Sequence, residues 1–315
     1  MDAATNLLSP FAVDHDHKFF KNSLIIHGEC FQWLNQIPEA NLHAIVTDPP
    51  YGVKEYDPDQ LEKRKSGNGG IWRIPPSFDG HKRSPLPRFT ALNQMERERM
   101  QSFFFEWAKL ALKALRPGGH IFLASNAFLA QIVFTAITDA GFEFRGQIVR
   151  LVKTLRGGDR PKNAELEYSD VCTMPRGGYE PWGLFRKPIP MEMTVSDCLK
   201  EYQTGGLRRK RDGNPFEDVI ESTRTPRKER DIADHPSLKP QAFLRQIVYA
   251  SLPLGQGIVV DPFMGSGSTI AAAEAIGYQS IGVERLEEYY LMSQQAIPKL
   301  SRLSTGQEQL SLSLA

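Results

Sequence analysis

The sequence predicts an α/β protein built on a mostly parallel sheet. Short apolar runs alternate with longer segments whose apolar residues recur at three-to-four spacing, a pattern typical of alternating strands and helices. A Pro-Gly-Gly turn at residues 116–119 ends one such helix and leads into the next apolar run. A second glycine-rich segment, residues 261–269, connects another apolar run to another helix. These connections favour open strand–helix–strand units over an all-helical or an all-β fold.

The predicted strands are residues 24–27, 43–47, 119–124, 146–152, 170–174, 257–260 and 280–283, and the predicted helices are residues 96–115, 126–140, 241–251 and 269–276. Two polar stretches, residues 54–92 and 176–234, interrupt the alternation. Loops of this length inside a compact domain are typically functional or disordered.

Composition sets the class of protein but not its activity. The chain has 315 residues, of which 41% are hydrophobic and 24% charged, values typical of a soluble globular protein. Its three cysteines show no metal-type spacing, which favours reduced thiols in a cytoplasmic protein without a metal site. No secretory signal or membrane-length apolar run is present in the sequence. The net charge of +1 does not by itself point to nucleic acid.

The tetrapeptide Asp48-Pro49-Pro50-Tyr51 follows the predicted strand 43–47, at the position where open α/β sheets bind ligands. Asp48 and the Pro49 carbonyl offer two hydrogen-bond acceptors, which suit a primary amine on an aromatic ring. Fixing both N–H bonds would direct the delocalised lone pair of that amine towards an electrophile. Tyr51 offers a ring on which a base swung out of a duplex can stack. The alternative is a rigid turn that carries an exposed tyrosine.

The second motif is the glycine-rich segment between the predicted strand 257–260 and a helix. Its candidate ligand-binding residues are Asp261, Phe263, Gly265, Gly267, Ser268 and Thr269. Ile270 stands where a dinucleotide fingerprint has its third glycine, which disfavours NAD but leaves a nucleoside site intact. Glu284 follows the next strand and is placed to accept the ribose hydroxyls of an adenosine. Ser237 and Lys239, in the turn 235–240, are candidates for the carboxylate of the same ligand.

Taken in order, these motifs resemble the beta-class amino-methylating DNA methyltransferases, a permuted group in which the catalytic tetrapeptide precedes the cofactor loop. The matching segments are residues 28–30, 48–51, 116–125, 235–240, 261–269 and 281–290. The resemblance implies a Rossmann-like, seven-stranded mixed sheet with helices on both faces. It also implies S-adenosyl-L-methionine as cofactor, with Glu29 near the cofactor adenine, although the family more often has Asp there.

By the same resemblance, the chain transfers a methyl group to N6 of adenine in double-stranded DNA after base flipping. Asp at the first position of the tetrapeptide leans towards adenine and Ser towards cytosine N4, so a cytosine-N4 enzyme is the nearest alternative. A protein or RNA amino-methyltransferase would usually place the cofactor loop first. A catalytically silent DNA-binding module would need neither Asp48 nor the segment 261–269.

The predicted domain division has five parts. Residues 1–21 form an N-terminal tail, 22–175 the catalytic half, 176–234 a target-recognition insertion, 235–300 the cofactor-binding half and 301–315 a C-terminal tail. The expected partner is double-stranded DNA, and a homodimer and a cognate restriction endonuclease stay open. The basic residues expected to contact DNA are Lys63, Arg64, Lys65, Arg73, Lys82, Arg83, Arg88, Arg208, Arg209, Lys210 and Arg211.

Overall fold

The computed structural model describes residues 7–50, 92–153, 158, 160–161 and 163–305. Within these residues, nine strands form one mixed sheet in the order β1-β2-β9-β8-β3-β4-β6-β5-β7 once they are numbered along the chain. The strands are β1 (Asp16–Phe19), β2 (Ser23–His27), β3 (Leu42–Thr47), β4 (Leu115–Ala124), β5 (Glu143–Leu151), β6 (Tyr179–Arg186), β7 (Val219–Glu221), β8 (Ile258–Asp261) and β9 (Gln279–Glu284).

Strand direction gives the sheet two distinct ends. Strands β2, β9, β8, β3 and β4 are parallel, and β5 and β7 run the same way because β6 is antiparallel to both β4 and β5. We call the end that carries Asp48, Glu180, Asp261 and Glu284 the carboxyl end of the sheet. The opposite end, which carries His43, Arg186 and Tyr278, is the amino end.

Helices cover both faces of this sheet. They are α1 (Cys30–Gln36), α2 (Gln94–Ala114), α3 (Ala130–Asp139), α4 (Val195–Tyr202), α5 (Arg227–Arg230), α6 (Gln241–Ser251), α7 (Ser268–Ile276) and α8 (Glu287–Ser301). Successive strand residues point to opposite faces, so Ile45 packs into one core with Trp107 of α2, while Val46 packs into a second core with Phe243 of α6. A capping box formed by Asn93 and Glu96 begins α2.

The predicted α/β class is confirmed, and so are the four predicted helices and six of the seven predicted strands, with shifted bounds. The strand predicted at 170–174 is wrong, because that segment is an exposed turn and bend. The chain instead enters the sheet at β6, where Trp182 and Phe185 are buried. Pro181 interrupts the apolar run of β6 and obscured its strand pattern.

The sheet has nine strands in the described residues where the resemblance implied seven. The two additions, β1 and β7, lie at its margins, and without them seven strands with one antiparallel member remain. The five-part division of the chain stays a prediction. Strand β1 lies inside the predicted tail 1–21, and β6 and β7 lie inside the predicted insertion 176–234.

Candidate active site

The tetrapeptide after β3 and the glycine-rich loop after β8 carry the predicted chemistry. Both lie at the carboxyl end of the sheet, and a hydrogen bond joins the strand ends from which they start. Asp48 directly follows β3 and is half-buried, and Pro49 behind it is buried. Asp261 is the last residue of the neighbouring strand β8. The hydroxyl of Thr47 donates a hydrogen bond to the Asp261 carboxylate at 2.7 Å, so the tetrapeptide and the glycine-rich loop begin side by side.

Lys239 ties Asp48 to the interior of the sheet. Its ammonium group forms a short ion pair with the Asp48 carboxylate and lies 3.8 Å from a carboxylate oxygen of Glu180, the second residue of β6. Glu180 in turn pairs with Arg150 of β5 at 3.3 Å. Four charges of alternating sign therefore run from the loop after β3 to the buried side of β5.

The glycine-rich loop has its glycines where other residues would not fit. Gly265 and Gly267 have φ angles of 51° and 83°, in the left-handed region that favours glycine. A Cβ atom on Gly265 would lie 2.8 Å from a ring nitrogen of His235, and one on Gly267 would lie 2.6 Å from Ile297 of α8. The loop is thus pressed between the turn 235–240 and α8, with its backbone lining the carboxyl end.

Glu284 anchors this loop from the next strand. One oxygen of its buried carboxylate accepts from the Gly265 amide at 2.9 Å, and the other accepts from the Leu286 amide at 2.8 Å. Burial raises the pKa of Glu284, and the two amide donors oppose that shift. Each carboxylate oxygen can accept a further bond, so this group can hold the loop and still accept ribose hydroxyls.

Asp261 is a buried carboxyl group of the site with a strongly raised pKa. Burial raises the pKa of Asp261 to about 6, and the charge of nearby Asp48 contributes to that rise. Hydrogen bonds from Thr269, Thr47 and the Phe263 amide oppose it. These donors make Asp261 a structural acceptor for the loop. The carboxylates of Asp48 and Asp261 lie close enough to repel each other, so a cation beside them stabilises their charged forms. Lys239 is that cation and pairs with Asp48.

The cavity at this end gathers most of the predicted ligand-binding residues. Its lining residues are Asp48, His235, Ser237, Lys239, Leu244, Asp261, Phe263, Met264, Gly265, Ser266, Ser268 and Thr269. The hydroxyl oxygen of Ser266 is buried and has no hydrogen-bond partner in the part of the chain that the structure describes. The Phe263 ring lies 5.9 Å from Trp107.

Glu29 lies close to this cavity but has a local role as well. Its carboxylate caps α1 by accepting from the Phe31 amide at 2.8 Å and the Gln32 amide at 3.1 Å. The preceding Gly28 amide donates to the carbonyl of Glu284 at 3.0 Å, which brings Glu29 to the carboxyl end of the sheet.

The basic run 208–211 lies at the other end of the sheet. Arg208 donates to the hydroxyl of Tyr278 at 2.6 Å and packs over the Tyr249 ring at 4.4 Å. Tyr278 precedes β9, whose far end is Glu284, so the two ends are separated by about 17 Å along the strand at roughly 3.3 Å per residue.

The other three members of this run also have partners within the chain. Arg209 donates to the Gly213 carbonyl at 3.0 Å, Lys210 pairs with Glu217 at 3.2 Å, and Arg211 lies 5.6 Å from the Tyr249 ring. The structure therefore does not bring Arg208, Arg209, Lys210 or Arg211 to the site at the carboxyl end. Their role as DNA contacts stays a prediction.

Several predicted residues lie outside the described part of the chain. They are Tyr51 of the tetrapeptide and the candidate DNA contacts Lys63, Arg64, Lys65, Arg73, Lys82, Arg83 and Arg88.

The structure adds site residues that the sequence analysis did not single out. Glu180 was missed because β6 was not recognised as a strand, and Arg150 because nothing in its own segment marks a buried cation. His235 packs against Gly265 and stacks edge-on with Tyr289, at 4.4 Å between ring centroids. Its position in the turn 235–240, directly ahead of Ser237 and Lys239, was the available signal.

A family model described as DNA methylase, of the N6/N4 type, matches residues 42–295, and that span contains both loops of the site. The chain belongs to this family. It is 24% identical to the type II methyltransferase M2.DpnII of Streptococcus pneumoniae, over 85% of this chain and 87% of that protein. It is also 24% identical to M.HindIII of Haemophilus influenzae, over 82% and 89% of the two chains.

Solved structures show the same fold. The M1.HpyAVI–SAM complex superposes with a TM-score of 0.52 at 16% identity, covering 87% of this chain and 98% of that one. The PvuII DNA methyltransferase, described as cytosine-N4-specific, gives a TM-score of 0.55 at 14% identity over 90% and 91% of the two chains.

The protein is therefore an S-adenosylmethionine-dependent DNA methyltransferase that acts on an exocyclic amino group. The site fits such a cofactor. The glycine-rich loop lines a cavity, the Ser266 hydroxyl lacks a partner among the described residues, and the Glu284 carboxylate is a suitable acceptor for hydroxyls. Among the described residues, no helix has the length and apolar character needed to cross a membrane.

Proposed function

We propose that this methyltransferase modifies N6 of adenine in double-stranded DNA and that Asp48 and Pro49 hold the amine that receives the methyl group. The observation that carries the proposal is the hydrogen bond between Thr47 and Asp261, which sets the amine-binding tetrapeptide beside the cofactor loop. Methyl transfer needs donor and acceptor a few ångströms apart and in line. Neighbouring strand ends provide that proximity.

In this proposal the chain itself contributes orientation. Asp48 and the Pro49 carbonyl accept the two N–H bonds of the amine and turn its lone pair out of conjugation with the ring. Bound S-adenosylmethionine supplies an electrophilic methyl group on sulfur. The amine becomes acidic only as it gains that methyl group, and Asp48 is the carboxylate nearest to receive its proton.

The cofactor site is proposed at the carboxyl ends of β8, β9 and β2. Glu284 accepts the ribose hydroxyls, Glu29 lies on the adenine side, and Phe263 packs against the adenosine. Asp261, Gly265, Gly267, Ser268 and Thr269 form the loop that lies against the rest of the cofactor. Ser237 and Lys239 line the same cavity and lie on the carboxylate side of the ligand.

The choice of adenine rests on Asp48 at the first position of the tetrapeptide. The structural likeness to a cytosine-N4-specific enzyme, at 14% identity, supports the shared fold and does not favour either base. Cytosine N4 is the alternative target, since its exocyclic amine offers the same two N–H bonds to the same acceptors.

We further propose that DNA approaches the carboxyl end, where the segment 222–230 carries exposed basic side chains. Those side chains belong to Arg224, Arg227, Lys228 and Arg230. Arg150 binds the start of the segment through Ser222 and Thr223, and Thr225 donates to the Leu238 carbonyl beside Lys239. The segment is therefore fixed next to the active site, unlike the run 208–211. A flipped base costs a few kcal/mol, and phosphate contacts of this kind can offset that cost.

The two relatives are type II methyltransferases, and we propose a cognate restriction endonuclease as the biological counterpart of this chain. We also propose that the protein forms a homodimer and that it lies in the cytoplasm, associated with the nucleoid through DNA.

Identification of the modified nucleoside tests the proposed reaction. Plasmid DNA is incubated with the protein and methyl-labelled S-adenosylmethionine, digested to nucleosides and separated. The expected product is labelled N6-methyladenine. Label in N4-methylcytosine would replace the adenine assignment, and label confined to RNA or protein in a mixed substrate reaction would reject DNA as the acceptor.

A further inference from the structure

The carboxyl end contains a chain of four charges, and one of them, Glu180, has no role in the proposed function. Asp48, Lys239, Glu180 and Arg150 alternate in sign and come from four separate segments of the sequence. All four side chains are largely buried, with exposures of 14%, 12%, 22% and 6% in that order. Buried ion pairs of this kind are costly to desolvate, so the fold alone gives little reason to keep them.

Arg150 is held from several directions and provides a fixed end. Its guanidinium donates to the Ser222 hydroxyl at 3.0 Å and to the Thr223 carbonyl at 2.9 Å. It also lies 5.2 Å from the ring of Phe243 in α6. A cation with this many contacts has little freedom to follow a moving partner.

Glu180 is fixed between this cation and Lys239. The Trp182 indole donates to one of its oxygens at 2.8 Å, and Arg150 contacts the other. Burial raises the pKa of Glu180, but the charges of Lys239 and Arg150 and these hydrogen bonds outweigh it, so the pKa is lowered overall. Glu180 is therefore an ionised carboxylate at a fixed position, 3.8 Å from the Lys239 ammonium.

Lys239 is consequently shared between two carboxylates. An ammonium paired only with Asp48 would neutralise it and weaken its hold on the target amine. A second carboxylate draws part of that charge away and also fixes the direction from which the flexible lysine reaches Asp48.

We propose that Glu180 is a positioning residue for methyl transfer, which fixes Lys239 against Asp48 and keeps the Asp48 carboxylate oriented and electron-rich towards the amine. The proposal rests on the proposed role of Asp48. Arg150 and Trp182 hold Glu180 in place and act on the reaction only through it.

The test is a double-mutant cycle with separate measurements of turnover, cofactor affinity and fold. Glu180→Gln removes the charge but keeps an oxygen that can accept from Trp182. We expect single-turnover methyl transfer to fall roughly ten- to a hundred-fold, the effect of a small misplacement at the reacting group. The dissociation constant for S-adenosylmethionine should change less than about threefold, well below one factor of ten. The acid limb of the pH–rate profile should move to lower pH.

Coupling separates a positioning role from a purely structural one. In a Lys239→Met background, Glu180→Gln should cause no further loss of rate, because its effect passes through Lys239. Glu180→Asp keeps the charge and should recover part of the rate, and it replaces Glu180→Gln in the cycle if that variant does not fold. The matched control is Glu143→Gln, which breaks the 2.7 Å ion pair with Arg186 at the amino end and should leave rate and coupling unchanged.

Two results would overturn the proposal while leaving the proposed function intact. One is an equal loss of methyl-transfer rate from Glu180→Gln in the wild-type and Lys239→Met backgrounds, which would mean that the two residues act independently. The other is a Glu180→Gln variant with wild-type turnover but weakened cofactor binding, which would assign Lys239 to the cofactor carboxylate alone. If the wild-type protein itself failed to label adenine in DNA, the proposed function would fall instead.

Discussion

Both ends of the sheet carry charged side chains but use them differently. At the amino end, Arg116 donates to the Tyr202 carbonyl at 3.1 Å and Lys187 donates to the Leu115 carbonyl at 2.8 Å. Those cations bind backbone at the ends of strands and helices. At the carboxyl end, Asp48, Lys239 and Glu284 come from different loops and line or border one cavity. The amino end closes the fold, whereas the carboxyl end is arranged around a ligand.

Chain direction is the physical reason for this difference. Parallel strands place every loop that follows a strand at the carboxyl end, so side chains distant in sequence meet there. Helix α7 also begins at that end, and its N-cap Gly267 provides no side-chain cap, so the positive end of its dipole points towards the cavity. The amino end receives the ends of helices instead, and its exposed carbonyls attract the arginines and lysines observed there.

Among substitutions that distinguish the two ends by their effect on activity, removal of the Asp48 side chain should have the largest effect. Asp48→Ala deletes an acceptor aimed at the reacting amine and should lower the single-turnover rate by roughly 100- to 1,000-fold, the range found when one oriented polar group is removed from an active site. Cofactor affinity, measured by isothermal titration, should stay within a few-fold of wild type. Near-normal turnover in this variant would remove the catalytic distinction between the ends.

At the amino end, we expect an effect on how the free energy of unfolding depends on pH. Burial and the charge of Arg116 lower the pKa of His43 to about 4, and its ring accepts from the Ile258 amide at 3.1 Å. Below pH 6.5 the unfolded chain binds a proton at this histidine and the folded protein does not, so stability is lost as pH falls from 6.5 to about 4. The loss amounts to about 3 kcal/mol from this one group.

His43→Gln isolates this effect, since the glutamine oxygen can accept the same amide bond. Wild type and variant should have similar free energies of unfolding above pH 6.5, and wild type should become the less stable of the two as the pH falls towards 4, by up to about 3 kcal/mol. Chemical denaturation at a series of pH values measures both free energies. A difference that stays constant with pH would show that His43 contributes packing alone.

Cofactor binding sharpens the comparison at the carboxyl end. Glu284→Ala removes a buried acceptor for charged hydrogen bonds, worth roughly 1.5–3 kcal/mol, and should weaken S-adenosylmethionine binding about ten- to a hundred-fold. Circular dichroism should show that the fold is retained. An unchanged dissociation constant would mean that Glu284 serves the Gly265 and Leu286 amides and no ligand.

The smallest expected effect concerns Arg208 and the basic run. Arg208→Ala loses its bond to Tyr278 and its contact with Tyr249, so the free energy of unfolding should fall by roughly 1–2 kcal/mol. The salt dependence of duplex binding should keep its wild-type slope. The control is Arg209→Ala, an exposed neighbour, which should change neither quantity. A slope reduced by about 0.9 for each arginine removed would restore this run as a phosphate contact.

The sequence predicted the carboxyl end better than the amino end. The tetrapeptide, the glycine-rich segment and Glu284 each follow an apolar strand, and local pattern was sufficient to place them. The role of Arg208–Arg211 could not be read in this way, because its partners Tyr249 and Tyr278 are distant in sequence and carry no opposite charge. A run of four cations with no acid between them was therefore assigned to DNA.

The same limitation explains why half of the charge network was missed. Asp48 and Lys239 stand in motifs, whereas Glu180 and Arg150 face them only because β6 runs antiparallel between β4 and β5. With Pro181 interrupting its pattern, β6 was placed several residues too early, in the segment 170–174. The error in β6 thus removed Glu180 from the predicted site, and without Glu180 nothing marked Arg150 in the predicted strand 146–152.

The contrast between the two ends is tested most directly by amide hydrogen exchange in the presence of S-adenosylhomocysteine and a duplex substrate. Cofactor analogue alone should slow exchange in segments 235–241 and 261–269, and the duplex should add protection in 222–230. Segment 203–216 at the amino end should exchange as in the free protein. Protection of 203–216 by the duplex, with segments 222–230 and 235–241 unaffected, would contradict the assignment of the carboxyl end as the site of DNA methylation.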